Sequence, residues 1–211
     1  LYAKAVKKRG GPKYKKPVGI DGRTMIDQRP KEVEKRLEFG HFEGDFIESG
    51  KDGKGSLLVL VERKTRYPFL RYLESRDTTT VNQAVAELLA GVPILSLTID
   101  NDISFQKHVE LSELIEASVF FCHPQAPHEK GTVENRNKAI RRYVPKRSDL
   151  SKFGRDHFLM VEKKLRNKFM ACLNYRTPQE VWETELKKLA TKKPRRCGMM
   201  REIKNLVECS D

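Results

Sequence analysis

No apolar run in this 211-residue chain approaches the ~18 residues that cross a bilayer as a helix. A helical integral membrane protein is therefore not expected. The N-terminus lacks the apolar stretch of a secretory signal. It starts with Leu1 and no methionine, so an upstream segment is expected. Paired cysteines are also missing: Cys122, Cys172, Cys197 and Cys209 stand far apart, with no C-x-x-C spacing. That argues against a disulfide framework and the common zinc patterns, and for a reducing cytoplasm. Acids are in short supply, 29 Asp and Glu against 42 Lys and Arg, leaving a net charge of +13. Such an imbalance calls for a polyanionic partner. Nucleic acid is the first candidate and an anionic membrane surface the second.

What remains is enough for one domain with appended segments, since 38% of the residues are hydrophobic. Residues 1–38 are rich in Lys, Arg, Gly and Pro and read as a basic arm or linker. Residues 39–190 carry periodic apolar patterns, and 191–211 read as a basic tail. Within the middle segment, 41–49, 56–64 and 66–74 read as three strands of a meander. Pro68 cannot donate to a sheet ladder, which sends the third strand to an edge. The period then changes. An amphipathic helix with Val81, Val85, Leu88 and Leu89 on one face ends at Gly91. Strand 94–100, a helix over 104–117 and strand 119–121 follow. A basic helix covers 130–146. Another covers 156–174, where Phe158, Val161, Leu165, Phe169 and Cys172 form a core stripe. "TPQE" at 177–180 reads as a capping box that opens the last helix, with Trp182 in the core. Three strands, then alternating helix and strand, give an α/β fold with a mixed five-stranded sheet flanked by helices.

Three acids stand out on this scheme. Asp45 lies in the first strand, Asp100 ends the fourth, and Glu134 is the lone acid among six basic side chains in "KGTVENRNKAIRRYVPK". A crossover can bring the fourth strand beside the first and so unite Asp45 with Asp100. Close carboxylates repel one another unless a cation sits between them, and carboxylate oxygens suit Mg²⁺ or Mn²⁺. On the helix, Val133, Ile140 and Val144 form an apolar strip, with Glu134, Asn137, Lys138 and Arg141 beside it. Two readings of Glu134 stay open: a surface ion pair with Lys138, or a third ligand facing the sheet end. An Asp at a strand end is likewise often a plain turn residue.

The words around these acids come in a telling order: "GHFEGD" (40–45), "LVERKTRY" (60–67), "LTIDND" (97–102), "HPQAPHEKGTVENRNKAIRRYVPK" (123–146) and "NYRTPQEVW" (174–182). Together they resemble the catalytic domain of DDE-class bacterial insertion-sequence transposases, in the group named after insertion sequence thirty. The likeness runs from about residue 25 to 185. It implies a ribonuclease-H-like, retroviral-integrase-like fold and DNA strand cleavage and strand transfer. It makes Asp45, Asp100 and Glu134 the catalytic, metal-binding acids, with two Mg²⁺ or Mn²⁺ ions per site and no small-molecule cofactor. Lys130, Asn135, Lys138, Arg141 and Arg142 become the DNA-binding residues. The implied partners are transposon ends and target DNA, in a homodimer or larger assembly, with no membrane. The implied place is the bacterial cytoplasm, at the nucleoid. Two alternatives are a catalytically weakened DNA-binding derivative and a ribonuclease-H-type nuclease. One departure bears on the first of these: Asp102 stands where the group has glycine.

Overall fold

The computed structural model describes residues 20–124 and 126–191. The expected arm over 1–19 and tail over 192–211 lie outside the described residues. Five strands, β1 (His41–Glu48), β2 (Ser56–Glu62), β3 (Pro68–Leu73), β4 (Ser96–Ile99) and β5 (Ser118–Phe121), form one sheet in the order β3-β2-β1-β4-β5. β1–β2 and β2–β3 pair antiparallel, while β1–β4 and β4–β5 pair parallel. This is the expected mixed sheet. Pro68 opens β3 on the edge, where its missing N–H costs no ladder bond.

β2 is buried along its whole length because both sheet faces are covered. Alternation along the strands separates two cores. Phe42, Leu58, Leu60 and Leu97 face α1 (Thr78–Leu88), α2 (His108–Leu114) and α5 (Pro178–Thr191). Ile47, Leu57, Val59 and Val61 face α3 (Gly131–Ile140) and α4 (Arg155–Arg166). Each such fully buried aliphatic side chain contributes roughly 1.5–3 kcal/mol. Gly44 lets β1 lie close on the first core. A Cβ there would stand 3.1 Å from Ile99 Cγ2 and 3.2 Å from Leu60 Cδ2.

Local signals act where the chemistry allows. In the capping box Thr177 N–H donates to Glu180 Oε2 (2.8 Å), and Glu180 N–H donates to Thr177 Oγ1 (3.2 Å). Trp182 stacks on Tyr67 at 4.3 Å and is buried. α1 is capped by Asp77, whose side chain accepts from Thr80 N–H.

Four expectations change. The basic helix expected over 130–146 ends at Ile140 and continues as turns through Val144. The helix expected over 156–174 stops at Arg166. The chain then turns back, with Asn174 and Tyr175 at positive φ and a bridge between Met170 and Arg176. Phe158, Val161 and Leu165 are buried as a stripe should be, but Phe169 is 68% exposed and Cys172 is exposed. The helix expected over 104–117 splits into a short turn at Ile103–Phe105 and α2, because Asp102 caps the turn first. Residues 20–38, which composition assigned to the arm, pack on the sheet. Ile20 and Val33 are buried, Met25 bridges to Phe121, and Arg29 donates to Thr98 Oγ1 at 2.8 Å. The few apolar residues that do this are scattered at no regular period, so the basic composition hid them.

Candidate active site

β1 and β4 run parallel with Glu43 opposite Thr98. The same register carried two residues further brings Asp45 level with Asp100, which directly follows β4. The two carboxylates converge on one ammonium: Lys130 Nζ is 3.0 Å from Asp45 Oδ1 and 3.2 Å from Asp100 Oδ2. Asp45 Oδ2 accepts from Asn137 Nδ2 at 2.7 Å. Asp100 Oδ1 is buried and has no hydrogen-bond partner among the described residues. Burial, only partly offset by Lys130, raises the Asp100 pKa, and the neighbouring Asp45 charge adds to the rise. Burial opposes the Lys130 charge, but Asp100 and Asp45 together outweigh it and hold its pKa above the ordinary value.

Lys130 and Asn137 flank the first turns of α3, and Glu134 lies between them on the same face. Glu134 is half-buried and has no hydrogen-bond or ion-pair partner among the described residues. The surface pair with Lys138 is not formed. Asp45 and Asp100 are thus brought together, and Glu134 stands on the helix face above them. Among the described residues no three His, Cys, Asp or Glu side chains lie close enough to hold one metal ion. The ammonium of Lys130 lies between the two aspartates.

α3 itself is held from below by a residue outside the predicted set. Glu43, two residues before Asp45 on the same face of β1, is fully buried. Its Oε2 accepts from the backbone N–H of Thr132 and of Val133, both at 2.9 Å. A carboxylate at the first turn also suits the helix dipole. Arg63 Nε lies 3.4 Å from Glu43 Oε1, and Arg63 Nη2 reaches Glu34 Oε2 at 3.3 Å. Glu34 pairs in turn with Arg29. Nearby, buried Glu62 accepts from Thr65 N–H (2.6 Å), Thr65 Oγ1 (2.7 Å) and Gly40 N–H (3.2 Å). One signal for Glu43 was present in the sequence: its spacing of two from Asp45, which puts both on one strand face.

The predicted DNA-binding residues separate. Lys130 is buried on the acids. Arg141 donates to the carbonyls of Pro145 and Glu48, both at 3.3 Å. Asn135, Lys138 and Arg142 are exposed on another flank of α3. Asp102 is turned to structural use. Its Oδ1 accepts from Ser104 N–H at 2.8 Å, and its Oδ2 pairs with Arg76, which lies over the Phe46 ring. Burial would raise its pKa, but the bonds from Ser104 and Arg76 prevail and lower it. Its φ of −76° needs no glycine. Cys122 is buried, and burial pushes its thiol up to about 12, so it is inert.

No protein-family model matches the chain. It is 32% identical over 169 residues to the transposase InsI of insertion sequence element IS30C of Escherichia coli, covering 79% of this chain and 44% of that protein. It is 35% identical over 181 residues to the transposase of insertion sequence element IS4351 of Bacteroides fragilis, covering 85% and 54%. The chain is a relative of the insertion-sequence transposases. It spans about half the length of the curated relatives it matches. Among solved structures, the catalytic core domain of BIV integrase matches with a TM-score of 0.56 at 18% identity, covering 71% of this chain and 97% of that one. The fold of this transposase relative is therefore that of an integrase catalytic core, ribonuclease-H-like. Among the described residues no helix is long and apolar enough to cross a membrane.

Proposed function

We propose that this chain is the catalytic core of a DNA transposase that cleaves DNA and transfers the freed strand of an insertion sequence. The observation that carries the reading is the meeting of Asp45 and Asp100 on one cation at the carboxyl ends of adjacent parallel strands, in a chain related to transposases. The donor set fits a hard divalent ion: two carboxylates, one with a buried oxygen that lacks a partner, under a helix that carries a third. Mg²⁺ or Mn²⁺, two ions per site, would be held by Asp45, Asp100 and Glu134 and would supply activation of the attacking oxygen and stabilisation of the leaving one.

The chain's own residues do the rest. Asn137 fixes the orientation of the Asp45 carboxylate. Glu43 fixes α3, and with it the approach of Glu134. Lys130 balances the two aspartates and keeps them close when no other cation is there. Net charge and the exposed cations of α3 hold the DNA backbone. No side-chain nucleophile is required, because water and then a 3′-hydroxyl attack in line. Joining two ends needs two such sites, so the partner set is transposon ends, target DNA and a homodimer or larger assembly at the nucleoid.

The test is strand transfer with Mg²⁺ or Mn²⁺, using a full-length protein that contains this core and its own element ends. Asp45→Asn, Asp100→Asn and Glu134→Gln should each abolish product. Product surviving in all three sinks the reading. A second reading, a DNA-binding derivative with weakened catalysis, is favoured by one observation: the three acids do not form a single metal-binding cluster. A Mn²⁺ titration that shows no binding would support it. Nicking of RNA–DNA hybrids without joining would instead mark a ribonuclease-H-type nuclease.

A further inference from the structure

α3 has a second polar flank. Asn135 stands about 100° around the helix from Glu134, and Arg142 lies just past the helix end. They line a groove of 360 Å³ between α3, the β2–β3 turn, the end of the short turn at Lys31–Lys35 and the segment that follows α4. Arg36, Arg66, Arg136, Lys138 and Lys168 also line it, and no carboxylate does among the described residues. Sequence distance concealed this cluster, since its members come from four separate segments. A volume of this size lies in the range of pockets that seat small ligands.

The cationic lining without a carboxylate suits an anion, and two of its arginines carry N–H groups that are not used. Among the described residues Arg36 Nε and Arg66 Nη1 have no hydrogen-bond partner. Both N–H groups are shielded from solvent where they stand, so an oxyanion satisfies them when the guanidinium turns toward the groove. Both arginines are also fixed in the left-handed region, at φ 55° and 62°. Arg66 is held there by buried Arg136, whose Nε and Nη2 donate to the Arg66 carbonyl at 3.1 and 2.6 Å. The cations crowd one another: burial first, then the charges of Arg66 and Arg63, lowers the Arg36 pKa. Guanidinium forks match phosphate oxygens, and the Arg36 guanidinium reaches over Gly131 at the first turn of α3.

We propose that this groove seats a backbone phosphate of the DNA strand engaged at the acidic site, with Arg36 and Arg66 as the inner donors and Lys168 at the rim. The proposal rests on the reading that the chain acts on DNA. It adds a site on the far flank of α3, so that the helix carries the acid on one face and a phosphate clamp on the next. A strand crossing α3 from Asp45 and Asp100 would place a neighbouring phosphodiester there.

The experiment measures binding of a labelled duplex oligonucleotide to the 211-residue chain across a salt series. Lys168→Glu is compared with Lys187→Glu, an exposed position on α5 outside the groove with the same change in charge. Both sites are exposed, so the fold should survive. Lys168→Glu should weaken binding and reduce the slope of log K against log salt by about 1, the value for one phosphate contact. Lys187→Glu should leave the slope unchanged. In parallel, alkylation of exposed Cys172 at the groove is followed by peptide mass spectrometry. The duplex should slow it, and inorganic phosphate at the same phosphate concentration should not. Equal slopes for the two variants with Cys172 unprotected overturn the groove. Protection by inorganic phosphate alone also overturns it, in favour of a small-anion site. The two readings separate cleanly. If the duplex protects Cys172 while Asp45→Asn leaves strand transfer intact, the groove stands and the catalytic reading falls. If Asp45→Asn abolishes strand transfer while Lys168→Glu behaves as Lys187→Glu, the reverse holds.

Discussion

Glu43 and Asp45 are carboxylates on the same face of the same strand, two residues apart, and they live in different environments. Glu43 is fully buried and spends its charge on two backbone N–H groups of α3 and on Arg63. Asp45 has a side chain 21% exposed and meets Lys130 and Asn137. The first has exchanged hydration for fixed partners: its Oε2 is held by two backbone N–H groups, and its Oε1 faces Arg63 in the interior. The second keeps a side open to solvent and shares its cation with Asp100. Burial with backbone donors makes a carboxylate a strut, and partial exposure leaves one with a side open to a further partner. The difference follows position: Glu43 lies under the start of α3, and Asp45 lies nearer the strand end, where helix cover is thinner.

The comparison can be broken in four ways. Asp45→Asn has the largest expected effect. Strand transfer should fall about 10³-fold or more, the equivalent of several kcal/mol of lost ion-mediated stabilisation. Its urea midpoint should barely move, with a change below about 1 kcal/mol, because the lost pair is partly solvated. Glu43→Gln should do the opposite in urea. Removing one partner of a buried ionic network costs about 3–5 kcal/mol, and equilibrium denaturation reads it. If Glu43→Gln were as stable as the parent, the strut would be dispensable. Lys130→Met probes the shared cation. Mn²⁺ affinity measured by calorimetry should rise about tenfold, or 1.4 kcal/mol, since the tethered ammonium no longer competes. A fall in affinity would instead make Lys130 the group that aligns the two aspartates. Asp102→Gly is the smallest. It loses the cap on Ser104 and the Arg76 pair and should cost about 1 kcal/mol in thermal or urea unfolding. Strand transfer should not increase, because Asp102 is already neutralised by Arg76.

Much of the fold was legible because its signals are local. The unbroken apolar run of β2, Pro68 at the edge and the Thr177–Glu180 capping box each act within a few residues. The α4 stripe was legible only to Leu165. Phe169 continued its spacing, but the chain reverses after Asn167, and spacing carries no warning of that. Residues 20–38 were illegible for the opposite reason: their contacts are single anchors with no period. In the candidate site, the nearness of Asp45 and Asp100 followed from strand order. The partners that those acids take did not.

The sequence by itself determined the order of strands and helices, the apolar faces that pair them into two cores, and the excess of positive charge. Those are properties of short windows and of totals, and they need no knowledge of distant neighbours. Only the tertiary structure decided which cation meets which acid. It put Lys130 between Asp45 and Asp100, left Glu134 without a partner among the described residues, and gathered Arg36, Arg66, Arg142 and Lys168 around one groove. Such meetings depend on the register of strands and the packing of a helix across them. Shifts of a few ångströms there decide whether two charges touch, and no local pattern encodes them.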